Sequence, residues 1–486
     1  MSAALELHRV SPEARAVIGA LAAEHRAAAA WLVGGAVRDA VAGGLTRELD
    51  LAVPAGALVI GRALAARLGA AFVVLDERRG VCRLVGPVSV DIADFRAPTI
   101  EADLAARDFT VNALAASLAA LAADGRAPII DPTGGLADLA AGRVRLCAPE
   151  ALAADPVRVL RAARLALRPG WRLDGAVVAA ARAAAPGLAA VAAERMRDEL
   201  VRILDDAAAG RGLRLLDEMA ALDEVLPERA AMRRTSQPLP HHFDVWEHSL
   251  RAVEAADRLL AAAPGMAPWA AEVAARLDED LGDGLTGRAA VKLAALLHDV
   301  AKPETRAEVE GRVRFIGHDV KGAERAAAIA QRWRLSRRAA AVVERLVQHH
   351  LRPMHLAQSG PVTHRARHRF FRDLGEDAGA LLLLALADAA ALRGDDPLEV
   401  WTGEGGRVLR ELMAGAADER ALAAAAPLVT GEDVMAAFAL RPGPEVGHLL
   451  ARAREAQALG QVATREEALA LLARPEAPLD TPGDPP

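Results

Sequence analysis

The sequence predicts an α+β protein, with β-strands concentrated near the N-terminus and α-helices dominating the remainder. Stretches between residues 31 and 95 alternate between apolar and polar residues, as strands do, whereas later apolar residues recur with helical spacing. Hydrophobic residues make up 53% of the chain, but aromatic residues make up only 3% and tyrosine is absent. Alanine must therefore fill much of the interior, which is typical of closely packed helices.

The first predicted strand leads directly into a glycine pair. Residues 31–33 are a short apolar run, Gly34 and Gly35 follow it, and an apolar helix start comes next. This order predicts a strand, a tight turn and a helix N-terminus, where backbone N–H groups can face a phosphate without obstruction by a Cβ atom. Arg38 adds a fixed positive charge there.

The next strand carries two acidic residues. Residues 48–53 alternate as a strand does, so Glu48 and Asp50 are predicted to project from one face. In that arrangement the two carboxylates could hold a divalent metal ion between them. For an isolated pair of carboxylates, a solvated strand face is the alternative explanation.

The strand, the glycine pair, Arg-Asp and the paired carboxylates together resemble the head motif of the DNA polymerase β-like nucleotidyltransferases. The resemblance is specifically to the class II tRNA nucleotidyltransferase and bacterial poly(A) polymerase family. It implies a catalytic Mg²⁺ site at Glu48 and Asp50. It also implies nucleotide contacts from Gly34, Gly35, Arg38 and Asp39. The family usually has Asp-x-Asp, so the glutamate at position 48 is a departure whose extra methylene shifts the oxygens.

The following elements are predicted from local patterns. Helical spacing covers residues 56–68, and residues 71–75 and 81–85 are predicted to form a hairpin. Residues 88–95 alternate again, which predicts a strand carrying Asp91. Because polymerase β-like sites often have a third carboxylate on a neighbouring strand, the resemblance makes Asp91 a candidate catalytic residue. A charge at the edge of a strand is the alternative.

A second signature lies at residues 103–115, where a helix with polar residues before it is predicted. This segment resembles the second motif of the same family. The resemblance implies that Arg107 contacts nucleotide phosphates, while Asp108 and Asn112 shape the surroundings of the sugar and the metal. Only a few residues separate Arg96 from the segment, whereas many enzymes that add the whole CCA have a longer flexible loop. The short connection leaves partial addition, of CC or of the terminal A, open.

A run of arginines opens the next region. Asp155 is predicted to cap a helix, with proline at its first position. Arginines recur every three residues on one drifting face of that helix, at Arg158, Arg161 and Arg164. In the related enzymes the Asp and the first Arg pair with the base of the incoming nucleotide, and the resemblance implies nucleotide binding by all four residues. The Glu that usually precedes the Asp is Ala154 here.

Further along, residues 194–200 match the family's Glu-Arg-x-x-x-Glu signature, which a salt-bridged helix explains equally well. Its implied role is mostly structural.

The second half of the chain has imidazoles and carboxylates on successive apolar helices, which is how a helical bundle builds a metal site. His248, the pair His298-Asp299 and Asp388 occur in the order found in HD-domain metal phosphohydrolases, and the resemblance extends to Lys302. It implies a second divalent metal, Mn, Ni, Co or Fe, at these four residues. In many nucleotidyltransferases the HD fold is only a scaffold. A histidine by itself would more often be a satisfied core residue.

Residues 331–372 form the strongest basic segment, with ten Arg, five His and a single acidic residue, Glu344. We interpret it as a surface for tRNA, with a solvated helix face in an arginine-rich protein as the alternative. The net charge of −6 argues against a uniformly basic coat for nucleic acid.

The composition also limits the class of protein. Cys82 and Cys147 are too few for a zinc cluster. The N-terminal residues lack the pattern of a signal peptide, and no apolar run reaches the roughly 18 to 20 residues that span a bilayer. We therefore expect a cytoplasmic protein, and its oligomeric state stays open.

We expect five regions: a nucleotidyltransferase head at 1–140, a helical neck at 141–235 that selects the nucleotide and binds RNA, and an HD domain at 236–400. A helical region at 401–474 and a disordered tail at 475–486 follow. The resemblance implies a head with a small mixed sheet and a helical remainder.

The implied reaction is addition of C, A or both to the 3′ end of tRNA from CTP and ATP, with two Mg²⁺ ions. The alternatives are a poly(A) polymerase, an HD phosphohydrolase with a nucleotide-sensing head, and an inactive RNA-binding protein.

Overall fold

The fold was analysed in a computed structural model of the protein, which describes residues 4–23, 29–44, 48–262, 266 and 270–474. The side chains of Glu48 and residues 270–272 also lie outside the description. The predicted tail at 475–486 falls outside the described residues. The chain divides into two compact units, Met1–Ile203 with Arg211–Pro227, and Leu204–Gly210 with Glu228–Pro486.

The first unit contains a mixed sheet of eight strands in the order β1-β8-β7-β2-β3-β6-β5-β4. The strands are β1 Ala4–Glu6, β2 Trp31–Val33, β3 Glu48–Val53, β4 Ala71–Asp76, β5 Val81–Val85, β6 Ser89–Asp94, β7 Ala115–Ser117 and β8 Arg126–Ile130. Only β3 and β6 pair in parallel, and the other neighbours are antiparallel. The predicted small mixed sheet and the hairpin of β4 and β5 are therefore confirmed.

Helices cover this sheet because its strands are apolar on one face along most of their length. Leu49, Leu51 and Val53 of β3 join the larger core, while Ala52 joins a smaller cluster on the other face with Val33. The helices are α1 Pro12–Ala23, α2 Gly35–Val41, α3 Ala57–Leu68, α4 Ile100–Ala105, α5 Leu118–Asp124 and α6 Gly135–Ala140. Asp50 lies on the face of the smaller cluster, where a polar side chain has room.

The chain continues as short helices that follow a parallel pair of strands, β9 Arg143–Val144 and β10 Arg172–Leu173. The helices are α7 Ala151–Ala154, α8 Arg158–Ala166, α9 Gly175–Ala184, α10 Ala193–Asp205, α11 Ala209–Glu218 and α12 Leu222–Val225. The predicted cap at Asp155 is wrong in detail. Asp155 ends α7, its side chain does not cap α8, and α8 begins at Arg158 after a turn.

The second unit is helical apart from the hairpin of β11 Arg306–Val309 and β12 Arg312–Phe315. Its first helices are α13 Arg229–Arg233, α14 Val245–Ala262, α15 Ala270–Asp278, α16 Gly287–Leu297, α17 Lys302–Thr305, α18 His318–Arg332, α19 Arg337–His349, α20 Arg352–Gln358, α21 His364–Leu374 and α22 Ala378–Ala391. The apolar helix α22 is buried against α14 and α16. None of the described helices is both long and apolar enough to cross a membrane.

The last helices are α23 Pro397–Thr402, α24 Arg407–Ala414, α25 Ala416–Ala424, α26 Gly431–Phe438, α27 Pro444–Ala458 and α28 Arg465–Leu472. The last three enclose a separate small core that includes Val434, Val446 and Ala468.

Candidate functional site

The glycine turn after β2 lies against an acidic side chain of β3. Gly34 has a φ of 70°, which disfavours any residue with a Cβ atom. A Cβ atom at this position would also come within 2.9 Å of Asp50 Oδ2 and 3.6 Å of Arg107 Nη1. The turn therefore brings backbone, a carboxylate and the guanidinium of Arg107 together.

Asp50 and Asp91 lie side by side on neighbouring strands. They are partners in the parallel register of β3 and β6, so their side chains emerge on the same face of the sheet. Both oxygens of Asp91 accept hydrogen bonds from Arg83, from Nε and Nη2 at 2.7 Å each. A metal bound at Asp91 would have to compete with this ion pair. Glu48 pairs with Ser89 through its strand, but its side chain lies outside the described residues.

Arg38 is 7% exposed, and its guanidinium is held by two side chains. Nε and Nη2 donate to the two oxygens of Asp39 at 2.9 and 3.1 Å, and Nη1 donates to Oδ1 of Asn112. Asp39 also accepts a hydrogen bond from Arg168 Nη2 at 2.6 Å. The predicted nucleotide contacts Arg38, Asp39 and Asn112 thus form one connected group.

Arg107 is oriented by a carboxylate one helical turn earlier. Its Nε and Nη2 donate to Asp103 Oδ2 at 3.2 and 3.0 Å, and Asp103 Oδ1 accepts from the backbone N of Arg96. Burial, followed by the charges of Arg107 and Arg158, lowers the pKa of Arg96. Arg107 therefore brings positive charge to the glycine turn beside Asp50, which suits an anionic ligand.

Asp108 connects the sheet domain to helices α8 and α10. It accepts from Arg161 Nη1 at 2.8 Å and from Asn112 Nδ2 at 3.3 Å. Arg161 Nε and Arg164 Nε in turn donate to the two oxygens of Glu199, at 3.0 and 2.6 Å. Burial opposes the charged form of Glu199, but Arg164 and Arg161 outweigh it and lower its pKa. Arg161 and Arg164 are thus each held by ion pairs within the protein.

The predicted base-reading pair is not joined in this structure. Asp155 Oδ2 lies 2.7 Å from Arg195 Nη2 but 3.9 Å from Arg158 Nε. Arg158 is 8% exposed and donates from Nη1 to the carbonyl of Ala151 at 3.0 Å. The carboxylate of Asp155 is 27% exposed and remains accessible to a ligand beside Arg195.

The second unit contains a cluster of six residues that could hold metal ions, in two groups of three. The first group is His248, His298 and Asp388, with His248 Nε2 lying 2.9 Å from Asp388 Oδ1 and 3.2 Å from His298 Nε2. Burial disfavours a charged imidazole, but Asp299 and Asp388 outweigh it and raise the pKa of His298 to about 10. Three of the four predicted ligands therefore converge as expected.

The fourth predicted ligand, Asp299, spans both groups. Its Oδ2 lies 3.2 Å from His298 Nε2, and its Oδ1 lies 3.4 Å from His318 Nε2 and 3.9 Å from His350 Nε2. The last two imidazole nitrogens are buried without a hydrogen-bond partner among the described residues. Buried polar atoms are normally satisfied, so these residues fit a bound cation. Asp299 also contacts Lys302 Nζ at 2.6 Å.

Sequence reasoning omitted His318 and His350 from the metal site. The two histidines lie in the polar pairs His318-Asp319 and His349-His350, in the same half of the chain as the predicted ligands. These pairs were the signal in the sequence that could have identified them. It also omitted Arg83, Arg168 and Arg195, which bind predicted site residues from other elements.

The basic segment at 331–372 is largely paired with acidic residues. Arg365, Arg369 and Arg372 contact Glu455, while Arg367 and His368 contact the buried Glu419. Five other arginine–carboxylate pairs are Arg332–Glu228, Arg338–Glu279, Arg345–Asp377, Arg352–Asp373 and Arg372–Asp373. These pairs neutralise much of the segment, so less charge is available to tRNA than the sequence indicates. The tRNA contact stays a prediction.

Sequence profiles of three known families match the chain. They are described as "Poly A polymerase head domain" at residues 30–145, "Probable RNA and SrmB- binding site of polymerase A" at 170–232 and "HD domain" at 269–391. The first covers the glycine turn and the acidic strands. The third covers all the cluster residues except His248.

Curated relatives match over almost the whole chain. The A-adding tRNA nucleotidyltransferase of Deinococcus radiodurans is 39% identical over 92% of this chain and 95% of its own length. The CC-adding tRNA nucleotidyltransferases of Geobacter sulfurreducens and Thermus thermophilus are 33% and 35% identical, over 95% and 91% of this chain and 94% and 93% of theirs.

Solved structures share the fold. A CCA-adding enzyme in complex with CTP has a TM-score of 0.62 and 19% identity, covering 97% of this chain and 98% of that chain. The Thermotoga maritima CCA-adding enzyme complexed with tRNA has a TM-score of 0.59 and 18% identity, covering 97% and 99%.

Proposed function

The chain belongs to the tRNA nucleotidyltransferase and poly(A) polymerase family, and we propose that it adds C, A or both to the 3′ end of tRNA. In this reaction the 3′-hydroxyl attacks the α-phosphate of CTP or ATP, a new phosphodiester bond forms, and pyrophosphate leaves. The observation that carries the proposal is the full-length similarity to A-adding and CC-adding enzymes. The contact between the glycine turn and Asp50 supports it.

The residues present fit a divalent cation beside the glycine turn. Asp50 is half-buried there, and its carboxylate oxygen is the type of donor that Mg²⁺ prefers. Asp50 and Glu48 would hold Mg²⁺, with Asp91 as a third candidate. When bound, Mg²⁺ would lower the pKa of the attacking hydroxyl and neutralise charge on the triphosphate.

The side chains around this carboxylate would bind and orient the nucleotide. Arg107, beside Gly34 and Asp50, would pair with phosphate oxygens while Asp103 keeps its guanidinium in place. The backbone at Gly34 and Gly35 would approach the triphosphate closely. Arg38 would act near the same phosphates, supported by Asp39, and Asp108 and Asn112 would shape the surroundings of the sugar.

Base selection is assigned to Asp155 and Arg158. A carboxylate acceptor and a guanidinium donor are the groups needed to recognise the edges of cytosine and adenine. Asp155 would exchange its ion pair with Arg195 for a contact with the base, since a single ion pair at a half-exposed arginine is weak. Arg161 and Arg164 would support this helix through Glu199.

The connection between Arg96 and α4 supports partial rather than complete CCA addition. Thr99 caps α4 and accepts a hydrogen bond from Ala102 N, so the connection is a compact turn. The test is end-sequencing of tRNAs truncated before each CCA position after incubation with CTP, ATP or both. Extension only of the tRNA that already ends in CC identifies an A-adding enzyme, whereas extension of the two shorter tRNAs that stops at CC identifies a CC-adding enzyme. Growth from all three to full CCA would contradict partial addition.

A poly(A) polymerase is the rival within the family. It predicts repeated addition of A to a generic RNA without a tRNA body, which the same assay detects. A protein that binds tRNA without metal-dependent turnover is another rival, prompted by the glutamate at position 48. Lack of incorporation by the wild type with every truncated tRNA would support that rival.

The six-residue cluster favours a second candidate function, an HD-type metal phosphohydrolase. Mn, Ni, Co or Fe suits its mixture of imidazole and carboxylate donors. Hydrolysis of a phosphomonoester or cyclic phosphodiester that is lost in His298→Ala, with nucleotide incorporation retained, would establish it. Absence of such hydrolysis with each metal would indicate that the HD domain is a scaffold.

A protein acting on tRNA and nucleoside triphosphates is expected in the cytoplasm.

A further inference from the structure

Arg38 is held from two sides, and both chains of contacts end on the same segment of the neck. Its guanidinium contacts Asp39 on one side and Asn112 on the other. Asp39 binds Arg168, which follows α8, and Asn112 leads through Asp108 to Arg161 within α8. The contacts therefore form a loop that passes through Arg38 and closes through the backbone between Arg161 and Arg168.

The Arg168 contact has the features of a positioning interaction. Its Nη2 donates to Asp39 Oδ1 at 2.6 Å, and its guanidinium lies 5.3 Å from the ring of Trp171. Burial, followed by the nearby charge of Arg38, lowers the pKa of Arg168, although Asp39 favours its charged form. Arg168 therefore orients Asp39, and Asp39 orients the Arg38 guanidinium through Nε and Nη2.

Helix α8, which precedes Arg168, begins at Arg158, and Arg158 is one of the two residues proposed to recognise the base. A nucleotide held at both its phosphates and its base is recognised correctly only if the two groups of contacts keep a fixed separation. If that separation can vary, a small shift of the phosphates allows the wrong base to bind, and discrimination between CTP and ATP falls.

We propose that Arg168 is a positioning residue that couples phosphate binding at Arg38 to base selection on α8. This inference rests on the proposed nucleotidyl transfer. It makes Arg168 and Asp39 determinants of the choice between CTP and ATP, although neither needs to touch the base.

The test is steady-state kinetics of Arg168→Ala with CTP and with ATP on the tRNA truncation that the wild type extends. We expect KM for the correct nucleotide to rise about tenfold, the scale of one charge-assisted hydrogen bond. We also expect the ratio of kcat/KM between correct and wrong nucleotide to fall by a similar factor. KM for tRNA should stay unchanged.

Arg62→Ala is the matched control. Arg62 lies on α3, and its guanidinium is 5.3 Å from the ring of Phe72. Its substitution also removes one positive charge and one contact with an aromatic ring. Asp39→Asn and the double variant with Arg168→Ala complete a cycle. If Arg168 acts through Asp39, the double variant should be no worse than the more impaired single variant.

Unchanged discrimination in Arg168→Ala, or losses that simply add in the double variant, would overturn the inference. If Arg168→Ala does not fold, Arg168→Lys keeps the charge but not the planar guanidinium, and it must still lower discrimination. A wild-type protein that incorporates neither nucleotide into any truncated tRNA refutes the proposed function itself. An active wild-type protein whose discrimination is unchanged by Arg168→Ala refutes only the positioning role.

Discussion

Gly34 and Asp50 lie in direct apposition, so that a Cβ atom at Gly34 would come within 2.9 Å of Asp50 Oδ2. The strand partner of Asp50 on β2 is Val33, the residue before Gly34, and this pairing fixes the approach. Glycine is therefore needed at this position for two reasons: the turn requires a positive φ, and the Asp50 carboxylate occupies the space that a Cβ atom would take.

Gly34→Ala should impair activity more than stability. The backbone of Gly34, with φ 70° and ψ −138°, is close to a region that only glycine adopts readily and costs alanine about 1 to 3 kcal/mol of folding free energy, and the added methyl group must also displace the Asp50 carboxylate. Gly69→Ala is the matched control, because Gly69 has a φ of 63° but no atom within 4 Å of the Cβ position. Gly34→Ala should lower the melting temperature more than Gly69→Ala, because Gly69 lies in the left-handed helical region and has no close contact, and only Gly34→Ala should abolish incorporation. Equal activity of the two would contradict a role for the close contact.

Asp50→Asn should abolish nucleotide incorporation while leaving the fold intact. The amide has the shape of the carboxylate but lacks the charge that a divalent cation needs, so we expect a loss of at least about a hundredfold. Chelation of Mg²⁺ should have the same effect on the wild type and be reversed by added Mg²⁺. Asp124→Asn, at an exposed carboxylate on α5, should remain active. Substantial turnover by Asp50→Asn would exclude Asp50 from the metal site.

Glu199→Gln should destabilise the first unit, with an effect that depends on pH. Glu199 is 4% exposed, and removing its charge takes away the carboxylate that Arg161 and Arg164 share, although Arg161 keeps Asp108; breaking a buried pair costs about 3 kcal/mol. Its pKa is depressed on folding, so the unfolded state takes up the proton first as pH falls. The contribution is fully present above the ordinary value of 4.5 and is lost as pH falls through the lower folded value.

Urea unfolding from pH 7 down to pH 3 tests this sign. The wild type and Glu199→Gln should differ most at neutral pH and converge in acid. A constant difference at every pH would mean that the charge of Glu199 is not the cause.

The metal cluster predicts a specific change in stoichiometry. Since Asp299 faces both groups, loss of His318 should remove one bound ion and leave the group of His248, His298 and Asp388 occupied. Elemental analysis of protein reconstituted with Mn²⁺ and then desalted measures this difference between wild type and His318→Ala. His355→Ala, at an exposed histidine on α20, should bind as the wild type does. Equal metal content in all three proteins would rule out the second group.

Sequence patterns predicted features that depend on nearby residues. The hairpin of β4 and β5, the glycine turn and the alternation of β3 follow from local periodicity and turn chemistry. The partners of the site residues do not, because Arg168 binds a residue 129 positions away and Arg195 binds one 40 positions away. Such pairs depend on how helices pack, and an arginine-rich composition offers many equivalent candidates. His318 and His350 were visible as ligand types, but only the packing of α18 and α19 brings them to Asp299.

Arg195→Ala should change base selection, because Arg195 forms an ion pair with Asp155. Its Nη2 lies 2.7 Å from Asp155 Oδ2, so its removal leaves a free carboxylate on the proposed base-reading side chain. A half-exposed ion pair contributes little to folding, so melting temperature should change by only a few degrees. With the competing arginine gone, Asp155 should bind the base more readily, and KM for the correct nucleotide should fall. Arg202→Ala, at an exposed arginine on the same helix, should leave KM unchanged. A rise in KM for Arg195→Ala would instead mean that Arg195 orients Asp155 toward the base, and identical kinetics in both variants would remove Asp155 from base selection.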